Sequence, residues 1–531
     1  MAETSRSGIP LKSVYTHQDR EKTGYDADLS APGEFPFTRG RQASTRGIWI
    51  QRELSGEGTA TRSNEQFKYL IQKGQTGLDV IGDSPTMACL DPDHPLAAAT
   101  VGTQGVSLCC LQDYRALLQD IPLDSLSIST SVPAFLALPG LYLVAREFGF
   151  SLDRLRGSIL QPPFYAEDCG YANHIPLNLR LKLSCDSIEF CVKEMPKFHS
   201  FIEDTYFFSE SGLTAVEEMA LGFIEIRYIV RALLNRGVDI DQFAPRIAIL
   251  VNCSMDFFEE IAKIRATRRL FAKMMRDEFG AKDPRSLAVV ISSHTSGLSL
   301  TAQQPTNNII RGTLQSLALV LGGVQALEIS AFDEGYRTPS PESHLVGLRT
   351  QQIIDLETNI PKVQDPLGGS YYVESLTDEI EKQIVSLIKE IEARGDPVVL
   401  SENGWFKRFF DDAMERYGRQ LHQGELPKVG MNVHRIPEEE DTLLREIAEE
   451  KIEPASELID IVKAHKAGRN QAKIKDVLTN LYQKAADGKE NLIYPIIEAT
   501  KAGATAGEIS GMLRQAGGYP YDPHDLVEPP I

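Results

Sequence analysis

Between about residues 40 and 400, short apolar segments alternate with longer amphipathic ones, and this pattern predicts an α/β protein with a parallel sheet. The clearest unit is the strand-like stretch 287–293, followed by a polar loop, 295–308, and a helix-like run, 309–321. The pattern is typical of a (β/α)8 TIM barrel and equally of a doubly wound open sheet, and periodicity does not separate the two. Both folds bind ligands at the carboxyl ends of the strands. The uncharged amides and hydroxyls of the loop therefore predict a neutral polar ligand.

The other predicted elements follow the same alternation. Further strands are predicted at 77–82, 106–110, 124–129, 246–251 and 323–330. Helices are predicted at 132–148 and 257–279. Residues 1–40 are polar and rich in turn formers, which predicts an N-terminal arm, and the α/β domain is placed at 41–400. A linker is predicted at 401–441, before a helical C-terminal extension at 442–531.

Composition narrows the classes of function. The formal net charge of −19 over 531 residues argues against binding nucleic acid through its phosphates. The first 20 residues contain no apolar secretory segment, and no apolar run reaches membrane-spanning length. The seven cysteines are scattered without a C-x-x-C pair, which indicates reduced thiols. We therefore expect a soluble cytoplasmic protein that binds neither membrane nor nucleic acid, and no metal site is predicted.

Several motifs, in the same order along the chain, resemble those of the adenosylcobalamin-dependent acyl-CoA mutases, the methylmalonyl-CoA mutase family. These motifs lie at 36–40, 241–246, 295–308, 332–334 and 365–374. The resemblance runs from about residue 34 to about residue 520. It implies the barrel rather than the open sheet, and an isomerase that rearranges the carbon skeleton of an acyl-CoA by radical chemistry.

The resemblance also implies residues that meet the cofactor. Tyr206, Glu210 and Gly212 match the family motif Tyr-His-x-x-Glu-x-Gly. The tyrosine is implied to be catalytic and to lie against corrin and adenosine, and the glutamate to contact the cofactor. Glu334 matches a glutamate that holds the ribose hydroxyls, although a solvated loop acid is the alternative. His294 replaces a glutamine near substrate and adenosine, which implies a catalytic, ligand-facing role, with a purely structural role as the alternative.

Four further positions bear on the thioester. Arg246 matches an arginine that contacts coenzyme A, and Arg52 aligns with another, with a surface ion pair as the alternative reading. Phe207 replaces a histidine that donates to the thioester carbonyl, and phenylalanine cannot donate. Ser292 replaces a second family histidine. The resemblance therefore implies a substrate-binding site whose polar lining has been rearranged.

Three more substitutions bear on the acyl group. Leu54, Leu160 and Gly170 stand where the family has a tyrosine, a glutamine and the arginine that clamps the free carboxylate of methylmalonyl-CoA. Without that arginine a buried carboxylate lacks a counter-charge, which costs several kcal/mol. We therefore predict an apolar or hydroxylated acyl group rather than methylmalonyl-CoA itself.

None of the ten histidines lies in the Asp-x-His-x-x-Gly motif that carries the family's lower cobalt ligand. The resemblance then implies that adenosylcobalamin is bound mainly by a separate small subunit, in a heterotetramer or around a homodimer core. Two alternatives stay open. Replacement of several family residues is compatible with a non-catalytic structural subunit of a mutase complex, and a barrel enzyme that uses no cobalamin is the other.

Overall fold

The computed structural model describes residues 4–20, 28–43, 49–170, 173–448 and 453–530. Within these ranges nine strands form one sheet in the order β1-β9-β8-β7-β6-β5-β4-β3-β2, and every strand pair with a recorded register is parallel. Strands β1 and β2 stand at the two ends of this order and are separated in the chain by Glu53 alone. The order therefore closes on itself, and the predicted α/β barrel with helical extensions is confirmed.

The strands are short and largely buried. They are β1 (Ile50–Arg52), β2 (Leu54–Ser55), β3 (Gly77–Val80), β4 (Ser127–Thr130), β5 (Arg156–Leu160), β6 (Phe198–Asp204), β7 (Ile247–Cys253), β8 (Val290–Thr295) and β9 (Ala326–Glu328). The predicted strand at 106–110 does not form, because Val106 makes only isolated bridges with Gly58 and Gly82. Strands β1, β2, β5 and β6 were not predicted.

The chain divides into two compact units, of which the first comprises residues 1–53 and 203–451. Every residue of β7 is buried, as expected for a central parallel strand. The helices of this unit are α6 (Tyr206–Glu210), α7 (Ala215–Asn235), α8 (Ile240–Phe243), α9 (Phe257–Lys273), α10 (Pro284–Leu287), α11 (Asn307–Gly322), α12 (Pro341–Leu356), α13 (Tyr371–Glu392), α14 (Pro397–Glu402), α15 (Trp405–His422) and α16 (Thr442–Ala448).

The second unit comprises residues 54–202 and 452–531. Its helices in the first range are α1 (Ala60–Gln72), α2 (Ser84–Met87), α3 (Leu111–Leu118), α4 (Ala134–Glu147) and α5 (Leu177–Glu194). The C-terminal range adds α17 (Glu457–Gly468), α18 (Gln471–Asp487), α19 (Ile493–Ala502) and α20 (Ala506–Ala516). In the part of the chain that the structure describes, no helix is long and apolar enough to cross a membrane.

The predicted domain boundaries remain predictions. The range 401–441, predicted as a linker, contains all of α15, an 18-residue helix. Parts of the predicted arm, at 1–3 and 21–27, lie outside the described residues.

A buried arginine explains one of the sequence motifs, 365–374. Arg265 of α9 has no exposed side-chain surface and pairs with Asp365 and Glu374, the second at 2.5 Å. Asp365 also accepts from Nε of Arg39 at 2.9 Å, and Glu374 accepts from the backbone N–H of Gly369 at 2.8 Å. A buried charge is tolerated only when it is paired and hydrogen-bonded, so the two ends of the motif are fixed by Arg265.

We expect Arg265→Met to lower the free energy of unfolding by about 3–5 kcal/mol, because it leaves the buried Glu374 without its cation and Asp365 with Arg39 alone. Urea denaturation measures the change. The matched control is Lys382→Met on α13, whose own side chain is solvent-exposed and whose partner Glu379 is half-buried, and we expect a change within about 0.5 kcal/mol there. Equal effects of the two substitutions would contradict the assignment.

Candidate active site

The candidate active site belongs to the first unit and lies where strands β6, β8 and β9 end. Strand β6 is followed at once by the short α6, which carries Tyr206 and Glu210. His294 is the penultimate residue of β8, and the loop after β9 carries Glu334. The carboxyl ends of parallel strands meet at one edge of a barrel, so residues far apart in sequence are brought together.

His294 is held by one ring nitrogen. It is 3% exposed, and its Nδ1 lies 2.7 Å from the carbonyl oxygen of Thr295 and 3.3 Å from Oγ of Ser330. Its Nε2 is buried and has no hydrogen-bond partner among the described residues. The ring centroid of Tyr206 is 4.6 Å away, at an interplanar angle of 56°. The structure therefore brings together the two residues predicted to be catalytic.

Tyr206 keeps its proton. Burial raises the pKa of its phenol well above the usual value, and the charges of Glu210 and Glu334 raise it further. Phe207 packs edge-on against the Tyr206 ring, with centroids 5.3 Å apart. The tyrosine is thus a neutral phenol held between two aromatic rings, and Phe207 contributes packing at the position where the family motif has a donor.

Glu210 braces the site. It accepts hydrogen bonds from Nδ2 of Asn252 at 2.7 Å, from Oγ of Ser296 at 2.7 Å and from the backbone N–H of Leu298 at 2.6 Å. These donors lie on β7 and on the loop after β8. The geometry favours a positioning role, and the predicted contact of Glu210 with a cofactor stays a prediction.

Glu334 has one bonded and one open carboxylate oxygen. Its Oε2 accepts from the backbone N–H of Ala331 at 3.0 Å, and Oε1 accepts no hydrogen bond from the described residues. Burial raises the pKa of this carboxyl, the neighbouring His294 lowers it, and Glu210 raises it. A fixed carboxylate with a free acceptor oxygen can take a hydrogen bond from a ligand hydroxyl.

Arg52 is committed to a buried pair. Its side chain is 2% exposed, and Nε lies 2.5 Å from Oε1 of Glu328 as an ion pair rather than an aligned hydrogen bond. Its Nη2 donates to Oγ of Ser292 at 2.5 Å. The strand register accounts for these contacts. Arg52 of β1 lies opposite Glu328 of β9, and Ser292 of β8 lies opposite Ala326, two residues earlier in β9. The side chain therefore positions Ser292, and the expected contact of Arg52 with coenzyme A stays a prediction.

Arg246 lies at the opposite ends of the strands, immediately before β7. Burial lowers the pKa of its guanidinium, and the positive charges of Arg285 and Arg41 lower it further. Arg41 donates to the carbonyl oxygen of Ala288, just before β8. The amino ends of β7 and β8 therefore carry three arginines close together, away from His294 and Glu334.

The remaining predicted residues belong to the second unit. Leu54 lies in β2, opposite Asp79. Leu160 ends β5 and lines a small cavity of about 50 Å³, together with apolar residues such as Pro162, Ala166 and Leu183. Gly170 is exposed and has a φ of 102°, a conformation that a larger residue rarely adopts.

Sequence reasoning missed the acids inside the first unit. Burial raises the pKa of Glu53 well above the usual value, and Gln351 donates to it at 3.1 Å. Glu328, the partner of Arg52, was also missed. A carboxylate within a short strand is a signal in itself, because a buried strand position tolerates charge only with a partner.

Helix α15 and the segment after it hold the loop that follows β8. The carbonyl oxygen of Leu298 accepts from the Tyr417 hydroxyl at 3.3 Å and from the Lys428 ammonium. The backbone N–H of Gln304 donates to Asp441 at 2.6 Å. Burial, together with a smaller effect of the nearby charge of Arg311, lowers the pKa of Lys428 to about 8.

We expect Lys428 to give stability a pH dependence. Its ordinary pKa is 10.5 and its folded value is lower, so between about pH 8 and 10.5 the unfolded chain binds more protons than the folded one. Stability of the wild type relative to Lys428→Met should therefore rise across that window, by about 1–2 kcal/mol after allowance for partial exposure. Urea unfolding at several pH values measures the difference, and a flat difference would refute the assignment.

The fold is that of a parallel α/β barrel with a polar and aromatic cluster at its strand ends, and comparison with known proteins specifies the class. A family model described as methylmalonyl-CoA mutase matches residues 4–519. The chain therefore belongs to the methylmalonyl-CoA mutase family, which depends on adenosylcobalamin. The predicted family membership and the predicted isomerase class are confirmed.

Individual relatives cover nearly all of the chain. It is 35% identical over 511 residues to the 2-hydroxyisobutanoyl-CoA mutase large subunit of Aquincola tertiaricarbonis, a match that covers 95% of this chain and 90% of that protein. It is 35% identical over 516 residues to the methylmalonyl-CoA mutase of Rhizobium meliloti, covering 96% and 72%. The human mitochondrial methylmalonyl-CoA mutase is 33% identical over 516 residues, covering 96% and 68%.

Proposed function

We propose that this chain is the substrate-binding, catalytic subunit of an adenosylcobalamin-dependent mutase that acts on an acyl-CoA without a free carboxylate. The observation that carries the proposal is the contact of the buried Tyr206 and His294, with the half-buried Glu334 on the loop after β9, at the strand ends of a mutase-family barrel. These residues supply apolar surface, a polar contact and a hydroxyl acceptor. A non-catalytic structural subunit has no need of these groups at its strand ends.

The residues at the strand ends fit an adenosyl group. The open Oε1 of Glu334 is an acceptor for ribose hydroxyls, while the Ala331 N–H fixes the other oxygen. The Tyr206 ring is 8% exposed and offers its apolar faces. Adenosylcobalamin, when bound, supplies the radical chemistry of the rearrangement. The chain's part is to orient the substrate and to exclude water from the reactive species.

The acyl-binding part of the proposal rests on a substitution in the sequence. Gly170 stands where the resemblance places the arginine that clamps a free carboxylate. A buried carboxylate without a counter-charge is costly, whereas an apolar or hydroxylated acyl group avoids this cost. The relative that is named for 2-hydroxyisobutanoyl-CoA fits the same description.

The coenzyme A moiety is proposed to bind at the amino ends of β7 and β8. Burial and the positive charges of Arg285 and Arg41 lower the pKa of Arg246 there, although Arg285 is itself paired with Asp283. An anion would relieve the repulsion between these positive charges. Arginine is well suited to phosphate because its planar fork makes paired hydrogen bonds.

A separate cobalamin-binding small subunit is the proposed partner. The match to the protein of Aquincola tertiaricarbonis covers 90% of that protein, which is named a large subunit. The name implies that it assembles with another chain. We propose the same division of labour here, in a heterotetramer or around a homodimer core.

Reconstitution tests the function. We expect the chain, mixed with its cobalamin-binding subunit and adenosylcobalamin, to give a cobalt(II)–radical signal in electron paramagnetic resonance with an uncharged acyl-CoA. Methylmalonyl-CoA should give a much weaker signal, because Gly170 stands where the resemblance places the arginine that clamps its carboxylate. Silence across an acyl-CoA panel would favour the structural-subunit alternative, and a preference for methylmalonyl-CoA would overturn the substrate proposal.

Glu334→Ala tests the ribose assignment. We expect the adenosylcobalamin concentration needed for half-maximal activity to rise about tenfold or more, because a charged acceptor of hydrogen bonds is lost. The acyl-CoA KM should change little. Glu342→Ala, an exposed acid at the start of α12, is the matched control. Unchanged cofactor dependence in Glu334→Ala would remove the assignment.

A further inference from the structure

We propose that the acyl chain of the substrate carries a hydroxyl group, and that this hydroxyl donates its hydrogen bond to Nε2 of His294. The inference rests on the proposed function and adds to it the chemical class of the acyl group, a hydroxyacyl thioester. It makes His294 a specificity-determining residue.

The first step is the position of the imidazole proton. Nδ1 of His294 lies 2.7 Å from the carbonyl oxygen of Thr295. A carbonyl oxygen only accepts, so Nδ1 must be the donor in this contact. Ser330 does not compete for the role, because its hydroxyl lies 2.8 Å from the same carbonyl oxygen and donates to it. In the neutral ring the other nitrogen, Nε2, is therefore a bare acceptor.

The second step is what Nε2 meets. The atom is buried and has no hydrogen-bond partner among the described residues. Neighbouring hydroxyls do not reach this atom. Ser292, two residues earlier on the same face of β8, accepts a hydrogen bond from Arg52 at 2.5 Å, and its own hydroxyl makes no hydrogen bond with Nε2. The Tyr206 hydroxyl lies towards Gly297, where an added Cβ would be 3.5 Å from it.

The third step is the ligand. A buried acceptor without a donor costs free energy, and native proteins leave few such groups unless a ligand satisfies them. A thioester and a saturated acyl chain carry no hydrogen-bond donor. The donor that an uncharged acyl chain can carry is a hydroxyl, which matches the single lone pair offered by Nε2.

Two other donors are available. A ribose hydroxyl of the adenosyl group has the same chemistry, but Glu334, whose Oε1 is open, already provides an acceptor for ribose. The pantetheine arm of coenzyme A carries amide N–H groups, which both members of an ester pair share. We assign the Nε2 contact to the acyl hydroxyl, and the experiment separates it from both other donors.

The test uses the full-length chain and two esters that differ by one hydroxyl, 2-hydroxyisobutanoyl-CoA and isobutanoyl-CoA, with 3-hydroxybutanoyl-CoA and butanoyl-CoA as a second pair. Isothermal titration calorimetry gives the Kd of each ester and of 5′-deoxyadenosine. The variants are His294→Phe, which keeps a ring but removes Nε2, and Ser293→Ala as the matched control. Ser293 is adjacent on β8, but its hydroxyl donates to the carbonyl oxygen of Ala326.

We expect the wild type and Ser293→Ala to bind the hydroxylated member of at least one pair about tenfold more tightly, and His294→Phe to bind both members alike. Equal binding of both members of each pair by the wild type would overturn the inference. So would an unchanged preference in His294→Phe, or a loss confined to 5′-deoxyadenosine, which would assign the contact to ribose. Failure of every ester to bind would contradict the proposed function itself. If His294→Phe does not fold, the ratio of the two Kd values in each ester pair, measured on the wild type, still tests whether the acyl hydroxyl contributes to binding.

Discussion

The carboxylate of Glu210 is the constraint on which the rest of the site depends. By accepting from Asn252, Ser296 and Leu298, it ties the helix after β6 to the end of β7 and to the loop after β8. Tyr206 lies four residues earlier on the same short helix, so its ring is positioned by the same brace. A carboxylate accepting several hydrogen bonds is a rigid connector, because each bond to a charged group is stronger than a neutral one.

Buried charged residues of the first unit in turn hold Asn252, one of the donors to Glu210. Lys263 donates to the carbonyl oxygen of Asn252 and to Glu218, each at 2.8 Å, and pairs with Glu260 at 2.6 Å. Burial raises the pKa of Glu218 to about 7, although Lys263 opposes the shift. Such buried groups add little net stability, but losing one partner is costly, so they restrict the arrangement of the strands. The geometry of Glu210 is therefore set well before any ligand arrives.

A structural feature of this molecule is predictable when its sequence signal lies within a few consecutive residues, and it is missed when it depends on distant parts of the chain. β7 was predicted almost in full because it is a continuous apolar run, whereas β6 was missed because polar residues, including Glu203 and Asp204, interrupt it. Tyr206, His294 and Glu334 were found from motifs, and the structure brings the first two into contact. The pairing of Arg52 with Glu328 was not foreseeable, since it depends on the register of two strands far apart in sequence.

The proposed roles of Arg246 and Glu334 constrain the shape of the ligand. Arg246 precedes β7, and Glu334 lies beyond the carboxyl end of β9, so the two groups stand at opposite ends of the strands in the first unit. A seven-residue strand such as β7 spans about 23 Å. A ligand that meets both must be long and thin, with its anionic end at the arginines and its reactive end beside His294. A coenzyme A thioester has that form, whereas a compact acid does not. Recognition of the phosphates and of the acyl group is then separated by the length of a strand, which lets the acyl-binding residues change while the coenzyme is kept.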